Sequence, residues 1–535
     1  MEEHFLRIFE TEEPEKLHQS LTKAVQQNFN ASSFPNLSQL DKKRLGEQMA
    51  KVLADENARH LLHALTLELL KILARDKTGL EEMINDDLLR CVTHAARLEP
   101  DFHGTFPDQT ELTVTTEAQK VLCNVVFNSG SAQRYVSRQE VVEALMSRIS
   151  ANKDKKRWSL ENQFLDVKLL FILTILCAEI RSVLRNDCHA VQDLCIYATC
   201  LHDKKQHTFV NNILCEILKT LFNLVCNISQ INLTMSEEMD FVNLGQVCRE
   251  MLVKKPSDEV KRHVINLLTV VKNFGYSQLV VPIAEDGNSP ESAVPFEGVD
   301  LGAVAVMLHF LEEKLSIAGG GKPTDDQLSP VLCTLTEAAK AVPVIRRFLK
   351  AQILPPLREL HQRPEVGTTM RNKICRLLTS TQISVRDSAG DLLFALCKGN
   401  AKRLIKYTGY GNAAGWLADR GLMGLPAPVL TAEDDSDTNS DTEEYSAVKS
   451  DIDPMTGAVR VERPDPMAGM SDEQKEHLAM ELVHGMDKLL RTGQFKPVAV
   501  GADGRPHSVE NVMQFREEIL KNQPERQSKS DSDSD

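Results

Sequence analysis

Aromatic residues are scarce in this 535-residue chain, at 5%, with two Trp among them. That scarcity argues against an all-β protein, whose strands draw on aromatic and β-branched side chains. Long apolar runs are missing as well. The longest, about 169–178, is broken by Thr174, which is too short for a bilayer and suits a buried helix. No basic region followed by an apolar stretch stands at the start, there is no Gly at position 2, and there is no prenylation box at the end. Neither a signal peptide nor a lipid anchor is expected. Basic residues are not in excess: 62 Lys and Arg face 76 Asp and Glu, a net charge of -14. A phosphate backbone needs a basic footprint, so nucleic acid is not an expected partner. GxSxG, HExxH and paired-glycine nucleotide loops are absent. The run from Ala318 to Thr324 has three glycines and Lys322, but Pro323 follows the Lys and no strand precedes it. It reads as a flexible turn rather than a phosphate loop. No covalent chemistry and no cofactor are expected.

Twelve cysteines are present and none forms CxxC. Most lie in apolar helical stretches, as buried thiols of a reducing, cytoplasmic compartment do. Cys188, His189, Cys195, Cys200, His202 and His207 crowd one region, but their spacings fit no standard zinc pattern. His60 and His63 are i, i+3 without a visible third ligand, and Glu481 with His484 is explained by a helix face. No metal site is expected.

What the sequence has is helical periodicity. From about residue 40 to 421, apolar residues recur at three- and four-residue spacing between short polar turns. Predicted helices include 41–55, 59–75, 115–129, 137–151, 162–185, 208–228, 257–273, 299–315, 327–341, 367–379 and 384–398. So long a succession of helices cannot surround one core. Stacked layers solve the problem, since each layer buries its face on the next.

Internal similarity supports stacking. Val-Leu-Cys-Asn-Val-Val-Phe-Asn at 121–128 resembles Thr-Leu-Phe-Asn-Leu-Val-Cys-Asn at 220–227. Asn124, Thr174, Asn223 and Asn266 fall in one register, at steps of 50, 49 and 43 residues. Armadillo and HEAT units run ~40–47 residues, so the expected fold is an all-α armadillo/HEAT superhelix. Asn124 and Asn128 are i, i+4 and share a helix face. Such asparagines either bond the backbone of a bound segment in a groove or tie the layers to neighbouring loops.

The segment 275–299, with three Pro and three Gly, reads as a long surface loop. Beyond Gly421 the composition changes. Residues 423–535 hold 12 basic and 24 acidic residues, leaving the body at -2. The stretch 425–470 is rich in Pro, Asp, Glu, Ser and Thr and is expected to be disordered. Ser471 and Gln474 then form a capping box. An amphipathic helix follows, with Leu478, Leu482, Val483, Met486, Leu489 and Leu490 on one side and Gly493 at its C-cap. A lone helix of this kind has to dock on something. A second helix is predicted at about 508–521. The organisation is a helical-repeat domain at 1–422, an acidic linker at 423–469, the docking helix at 470–493 and a tail at 494–535.

Between Pro343 and Arg376 stand Arg346, Arg347, Lys350, Arg358, Arg363, Arg371, Lys373 and Arg376 against two acids, with Lys71, Arg75 and Lys77 a smaller basic group. Such residues suit an acidic ligand or a carboxylate, or a solvated face paired with the acidic tail. Ser436, Thr438, Ser440 and Thr442 lie among acids and suit an acidophilic kinase.

Several blocks resemble one family. These are Phe348-Leu-Lys-Ala-Gln-Ile-Leu-Pro-Pro-Leu-Arg358, Arg363-Pro-Glu-Val-Gly367, Arg371-Asn-Lys373, Lys406-Tyr-Thr-Gly-Tyr-Gly-Asn-Ala-Ala-Gly415, Asp453-Pro-Met-Thr-Gly457 and Glu473-Gln-Lys-Glu-His477. They are similar to the synembryn family, exchange factors and chaperones for heterotrimeric G-protein α subunits. The resemblance implies an armadillo/HEAT superhelix whose concave face captures the C-terminal helix of a GDP-bound or nascent α subunit. That capture frees GDP and shelters the nucleotide-free state. The family's groove positions fall on Lys71, Arg75, Asn124, Asn128, Arg346 and Lys350, with Asn223 on the repeated face. Lys71 departs from the Arg expected there. The loop at 409–415, with Tyr410, Gly411 and Asn412, and the helix from Ser471, with Leu482 and Met486, are the implied contacts to the GTPase domain, and Ser440 is the best-matched phosphosite. The protein is expected to act as a cytoplasmic monomer recruited to the cell cortex. The other function open at this point is an armadillo-type adaptor that binds extended or acidic peptides without exchange.

Overall fold

The computed structural model describes residues 3–9, 13–55, 58, 60–99, 102, 107–152, 158–202, 208–229, 233–283, 293–316, 325–423, 442–460, 467, 469–492, 498–500 and 505–508. They form two compact units, 1–309 and 310–535.

Unit 1 is a succession of helices: α1 (Pro14–Asn28), α2 (Gln39–Ala54), α3 (His60–Leu73), α4 (Asp86–Ala95), α5 (Gln109–Asn128), α6 (Gln139–Ala151), α7 (Leu160–Leu176), α8 (Ala190–His202), α9 (Thr208–Val225), α10 (Met235–Val253) and α11 (Asp258–Leu268). Short helices between them are left unnumbered. Many starts are written in the sequence. Ser38, Asp108 and Thr234 make full capping boxes with Asp41, Glu111 and Glu237, and Asn85, Ser159 and Ser257 cap the backbone one turn on. These side-chain oxygens satisfy amides that a helix start leaves unpaired.

From α2 onward the helices pack in pairs: α2 with α3, α4 with α5, α6 with α7, α8 with α9 and α10 with α11. The second members stack in unbroken succession, α3 on α5, α5 on α7, α7 on α9 and α9 on α11. Each pair buries its apolar stripes on the next one. Leu67, Leu70, Val121, Leu122, Leu169, Leu170, Leu173, Ile213, Ile217, Leu221 and Val264 are all buried. This is an all-α fold of the armadillo/HEAT type.

The layers are also stitched by buried polar groups. Arg148 of α6 pairs with Asp166 of α7, its Nε donating to the carboxylate at 2.8 Å, and its Nη1 donates to the Ala96 carbonyl at 2.6 Å. Gln119 of α5 donates to the same carboxylate, and Asn162 donates back to Gln119 at 2.7 Å. Burial pushes the Asp166 carboxyl up, against the pull of Arg148 and Gln119. Where α10 crosses the turn at Asn273–Tyr276, Gly245 lies so close to Gly275 that a Cβ would sit 2.2 Å from the Gly275 carbonyl oxygen. Only two glycines allow that approach.

Unit 2 contains α12 (Asp325–Ala341), α13 (Pro343–Ile353), α14 (Met370–Leu377), α15 (Ile383–Leu396), α16 (Ala401–Thr408), α17 (Tyr410–Asp419), α18 (Glu443–Val448) and α19 (Asp472–Arg491). α15 is central and packs on α12, α13, α14 and α17. The Trp416 ring closes over Gly390 of α15, where a Cβ would meet it at 2.2 Å.

Four local expectations need correction. The helix predicted at 162–185 is two, because the chain turns after Leu176 and Arg181 Nε donates back to the Thr174 carbonyl at 2.7 Å. The loop predicted at 275–299 holds a short helix at Asn273–Tyr276. Its edges also pair as a three-stranded antiparallel sheet of Val281–Pro282, Val299–Asp300 and Pro295–Phe296. The block 409–415 is a glycine turn followed by α17 rather than a loop. Residues 442–460, expected within a disordered stretch, form α18 and a hairpin of Ile452–Asp453 with Ala458–Val459 docked on unit 2. Composition misjudged this piece because a few residues hold it. Tyr445 is buried beneath Lys406, whose Nζ lies 4.2 Å from the ring, and the Val459 amide donates to the Leu360 carbonyl at 2.8 Å. Ser471 and Gln474 cap α19 as predicted. The turn at 318–324, Gly493 and the helix predicted from 508 to 521 lie outside the described residues, apart from Ser508, which ends a short strand, Pro506–Ser508.

Candidate partner-binding site

Polar residues line one face of several second helices of unit 1. On α5, Glu117, Lys120, Asn124 and Asn128 recur at three- and four-residue steps and therefore share a face. Lys71 of α3 reaches Glu117 at 2.5 Å, and Lys120 bridges Glu117 at 3.0 Å and Glu161 of α7 at 2.9 Å. On α9, Glu216 and Lys219 pair at 2.7 Å one turn from Asn223. Burial raises the Glu117 carboxyl, but Lys71 and Lys120 outweigh it and hold the group below its ordinary range. From α3 through α5 to α7 the stripe is a ladder of alternating charge.

The registered asparagines divide. Asn223 Nδ2 donates to Thr174 Oγ1 at 3.1 Å, so it ties α9 to α7. Asn128 Oδ1 and Asn266 Oδ1 are shielded from solvent and accept no hydrogen bond among the described residues. Asn124 is half-buried on the same face as Asn128. A shielded carbonyl oxygen without a donor is costly unless a ligand supplies one. Beside these asparagines, apolar side chains stand open at the C-terminal ends of the helices: Phe127 is 59% exposed and Ile175 is 47% exposed, with Leu176 next to it. Sequence reasoning missed them. The signal was there: Phe127 and Ile175 continue apolar helices onto the face that Asn124 and Asn128 mark as outward. Arg75, just past α3, is exposed, and its Nη1 donates to the Phe29 and Ala31 carbonyls at 2.6 and 3.2 Å. It braces the loop after α1 while the rest of its guanidinium faces outward.

In unit 2 the basic run does not form one surface. Arg371 Nε donates to the Tyr407 carbonyl at 2.9 Å, and Arg376 Nη1 donates to the Glu365 and Gly367 carbonyls, both at 2.9 Å. Lys373 bonds Ser316 at 2.9 Å and pairs with Glu312 at 3.4 Å. Arg346 and Lys350 are i, i+4 on α13 and half-exposed, above the buried Ile345, Phe348 and Leu349. Among the described residues Arg346 makes no ion pair.

The start of α17 is covered by the chain itself. The Tyr410 and Gly411 amides donate to the Pro454 and Met455 carbonyls at 2.9 and 2.8 Å. Asn412 Nδ2 donates to Glu365 and to the Thr408 carbonyl, both at 2.8 Å. Gly409 and Gly457, both at positive φ, abut so closely that a Cβ on either would strike the other's strand of backbone at about 3 Å. Two blocks far apart in sequence, 406–415 and 453–457, thus form one contact. Thr442 caps α18: its hydroxyl donates to the Leu357 carbonyl at 2.6 Å and accepts from the Tyr445 amide at 3.1 Å. Ser436, Thr438 and Ser440 lie outside the described residues. On α19, Leu482 is 65% exposed, with Leu478 and Leu489 also open, while the Met486 side chain lies outside the described set.

The family described as guanine nucleotide exchange factor synembryn matches residues 66–505 of this chain. The chain belongs to the synembryn family. Its relatives include proteins named Chaperone Ric-8A. That of Danio rerio is 34% identical, with 89% of each chain covered, and that of Xenopus tropicalis is 33% identical, with 98% of each covered. That of Mus musculus is 34% identical, covering 94% of this chain and 95% of its own. In this synembryn chain the family match takes in both the second-helix stripe and the contact between Gly409 and Gly457. Among the described residues, those considered from sequence as metal ligands form no metal-ligand cluster: Cys195 is buried, Cys188 and Cys200 are half-buried, and His63 bonds the Val52 carbonyl at 3.1 Å. His207 lies outside the described residues.

Proposed function

We propose that this chain is a guanine-nucleotide exchange factor and folding chaperone for heterotrimeric G-protein α subunits. It binds the C-terminal helix of the GDP-bound or nascent α subunit, promotes GDP release and stabilises the nucleotide-free state. One observation carries the reading: Asn128 Oδ1, shielded and without a donor among the described residues, beside Asn124 and next to the exposed Phe127, Ile175 and Leu176. A guest's last helix offers an apolar face, side-chain donors for Asn128 Oδ1, and unpaired terminal carbonyls to which the asparagine Nδ2 amides can donate. Membership of the synembryn family and relatives named as chaperones support it. Exchange here is differential binding to one state of the partner and needs no covalent step.

Lys71, Arg75, Asn124 and Asn128 are the proposed contacts in unit 1, with Asn223, which ties α9 to α7, further along the same stack. Arg346 and Lys350 of unit 2 are a separate proposed grip for a carboxylate. Arg346→Ala with Lys350→Ala is expected to weaken α-subunit binding at least ~10-fold, at about 1.5–3 kcal/mol per charge-assisted bond. Both side chains are half-exposed, so the double variant should keep its helical circular dichroism spectrum. Calorimetric titration with a purified α subunit checks this, and unchanged affinity would place the carboxylate grip elsewhere.

α19, with Leu482 and Met486, is the proposed second docking element, and Tyr410, Gly411 and Asn412 act through the 409–415 block beneath the 454–457 turn. An acidophilic kinase is the proposed modifier of the acidic stretch. Ser440, with Ser436 and Thr438, is a better target than Thr442, whose hydroxyl is engaged as a cap. The chain is proposed to work as a monomer in the cytoplasm and at the cell cortex. Among the described residues no helix is long and apolar enough to cross a membrane.

The test is GDP release from a loaded α subunit, with full-length protein added. Release faster than the intrinsic rate is expected. If a peptide from the end of the partner's last helix binds but GDP release stays at the intrinsic rate, the chain is instead an adaptor.

A further inference from the structure

Cys215 lies on α9 and faces α11, the second helix of the next pair. Two residues of α11, Glu259 and His263, are i, i+4 and so project from one face. Their ligating atoms and the Cys215 sulfur all lie within 4.8 Å of one another. Cys215 is 4% exposed, His263 is half-buried and Glu259 is open to solvent. Among the described residues none of the three side chains is engaged in a hydrogen bond or an ion pair.

We propose that Cys215, Glu259 and His263 form a zinc site that joins two stacked helices of the repeat, with water in the fourth position. The ligand set fits the metal. Thiolate, imidazole and carboxylate are zinc's ordinary protein ligands, at about 2.3, 2.0–2.1 and 2.0–2.2 Å, and three protein ligands plus water is its usual open site. Around a tetrahedral ion those bonds set ligand atoms roughly 3.4–3.7 Å apart, which rotation about the Cys, Glu and His side-chain bonds can reach from the separations present. A chelating i, i+4 pair on one helix and a single ligand from its neighbour also suit a clamp between layers.

The surroundings agree. The nearest cations are Lys219 and Arg262. Lys219 is tied to Glu216 at 2.7 Å and sits 4.2 Å from the Phe171 ring centroid, so its charge is partly offset. Burial, with Arg262 and Lys219, pushes His263 down to about 4, so its imidazole is neutral and able to ligate near neutral pH. Burial pushes the Cys215 thiol up to about 12, so the metal must displace its proton. The balanced step is Cys–SH plus Zn2+ giving Cys–S–Zn+ and one proton released to solvent.

His263 is one turn from Asn266, whose Oδ1 has no donor among the described residues, so the ion would stiffen the end of the same second-helix stack. The inference does not depend on the proposed exchange activity, and its test does not read that activity.

Full-length protein, stripped with a chelator under reducing conditions, is titrated with Co2+ and then Zn2+. The expected result is one equivalent of Co2+ with the visible bands of a tetrahedral ion and a thiolate charge-transfer band, displaced by Zn2+. Cys215→Ser should abolish the charge-transfer band. His263→Gln, at a half-exposed position, should weaken Zn2+ binding at least ~100-fold and leave the circular dichroism spectrum unchanged. Absence of binding in the parent, or binding unchanged in His263→Gln, overturns the site. If Cys215→Ser does not fold, His263→Gln together with Glu259→Gln decides.

Discussion

Arg148→Ala is expected to lower the free energy of unfolding by about 3–5 kcal/mol. Asp166 is 0% exposed and Arg148 is 8% exposed. Removing the guanidinium strands a buried carboxylate and also leaves the Ala96 carbonyl without its donor. Gln119 cannot compensate, since its other bonds run to Asn162. The effect belongs to the uncompensated charge and not to the worth of the pair. The double change Arg148→Met with Asp166→Leu should therefore regain much of the loss, because both charges leave together. Urea unfolding of the three variants and the parent measures it. A loss under about 1 kcal/mol for Arg148→Ala would contradict the network's role in joining α5, α6 and α7.

Much of unit 1 was legible because stacking repeats leave a periodic mark. Asn124, Thr174, Asn223 and Asn266 fall on α5, α7, α9 and α11, the successive second helices, and Asn223 bonds Thr174 directly. The register in the sequence is thus a register in space. First helices such as α4 and α10 were less visible. Their exposed faces are rich in charge, and their burial depends on neighbours distant in sequence. The docked piece at 442–460 was hidden for a related reason. Composition reads an average, whereas Tyr445, Thr442 and Gly457 each make one specific contact, with Lys406, Leu357 and Gly409, all far away in the chain. The glycines of 409 and 457 were seen as motifs, but nothing in either block says that they meet. Cys215, Glu259 and His263 went unnoticed because the cysteine lies 44 and 48 residues from its companions, outside any short ligand spacing.

The basic run at 343–376 illustrates the opposite error. Eight cations in sequence suggested one patch. Helix geometry separates them, and Arg371, Lys373 and Arg376 are engaged within unit 2. Charge counts cannot tell a solvated cation from one that holds a loop. Arg346 and Lys350 stand at i, i+4 above a buried face, a spacing that suits a ligand carboxylate.

The central claim is that this chain recognises the end of another protein. The direct measurement sets its affinity for a purified, intact G-protein α subunit against that for a form lacking the last few residues, both at equal nucleotide load. The stripe marked by Asn124 and Asn128 offers shielded acceptors and open apolar side chains, and contacts of that buried kind dominate an interface. Removing the guest's terminus should weaken the complex at least ~100-fold, about 3 kcal/mol, with the truncated form still binding nucleotide normally. Equal affinity for the intact and truncated forms would contradict the account.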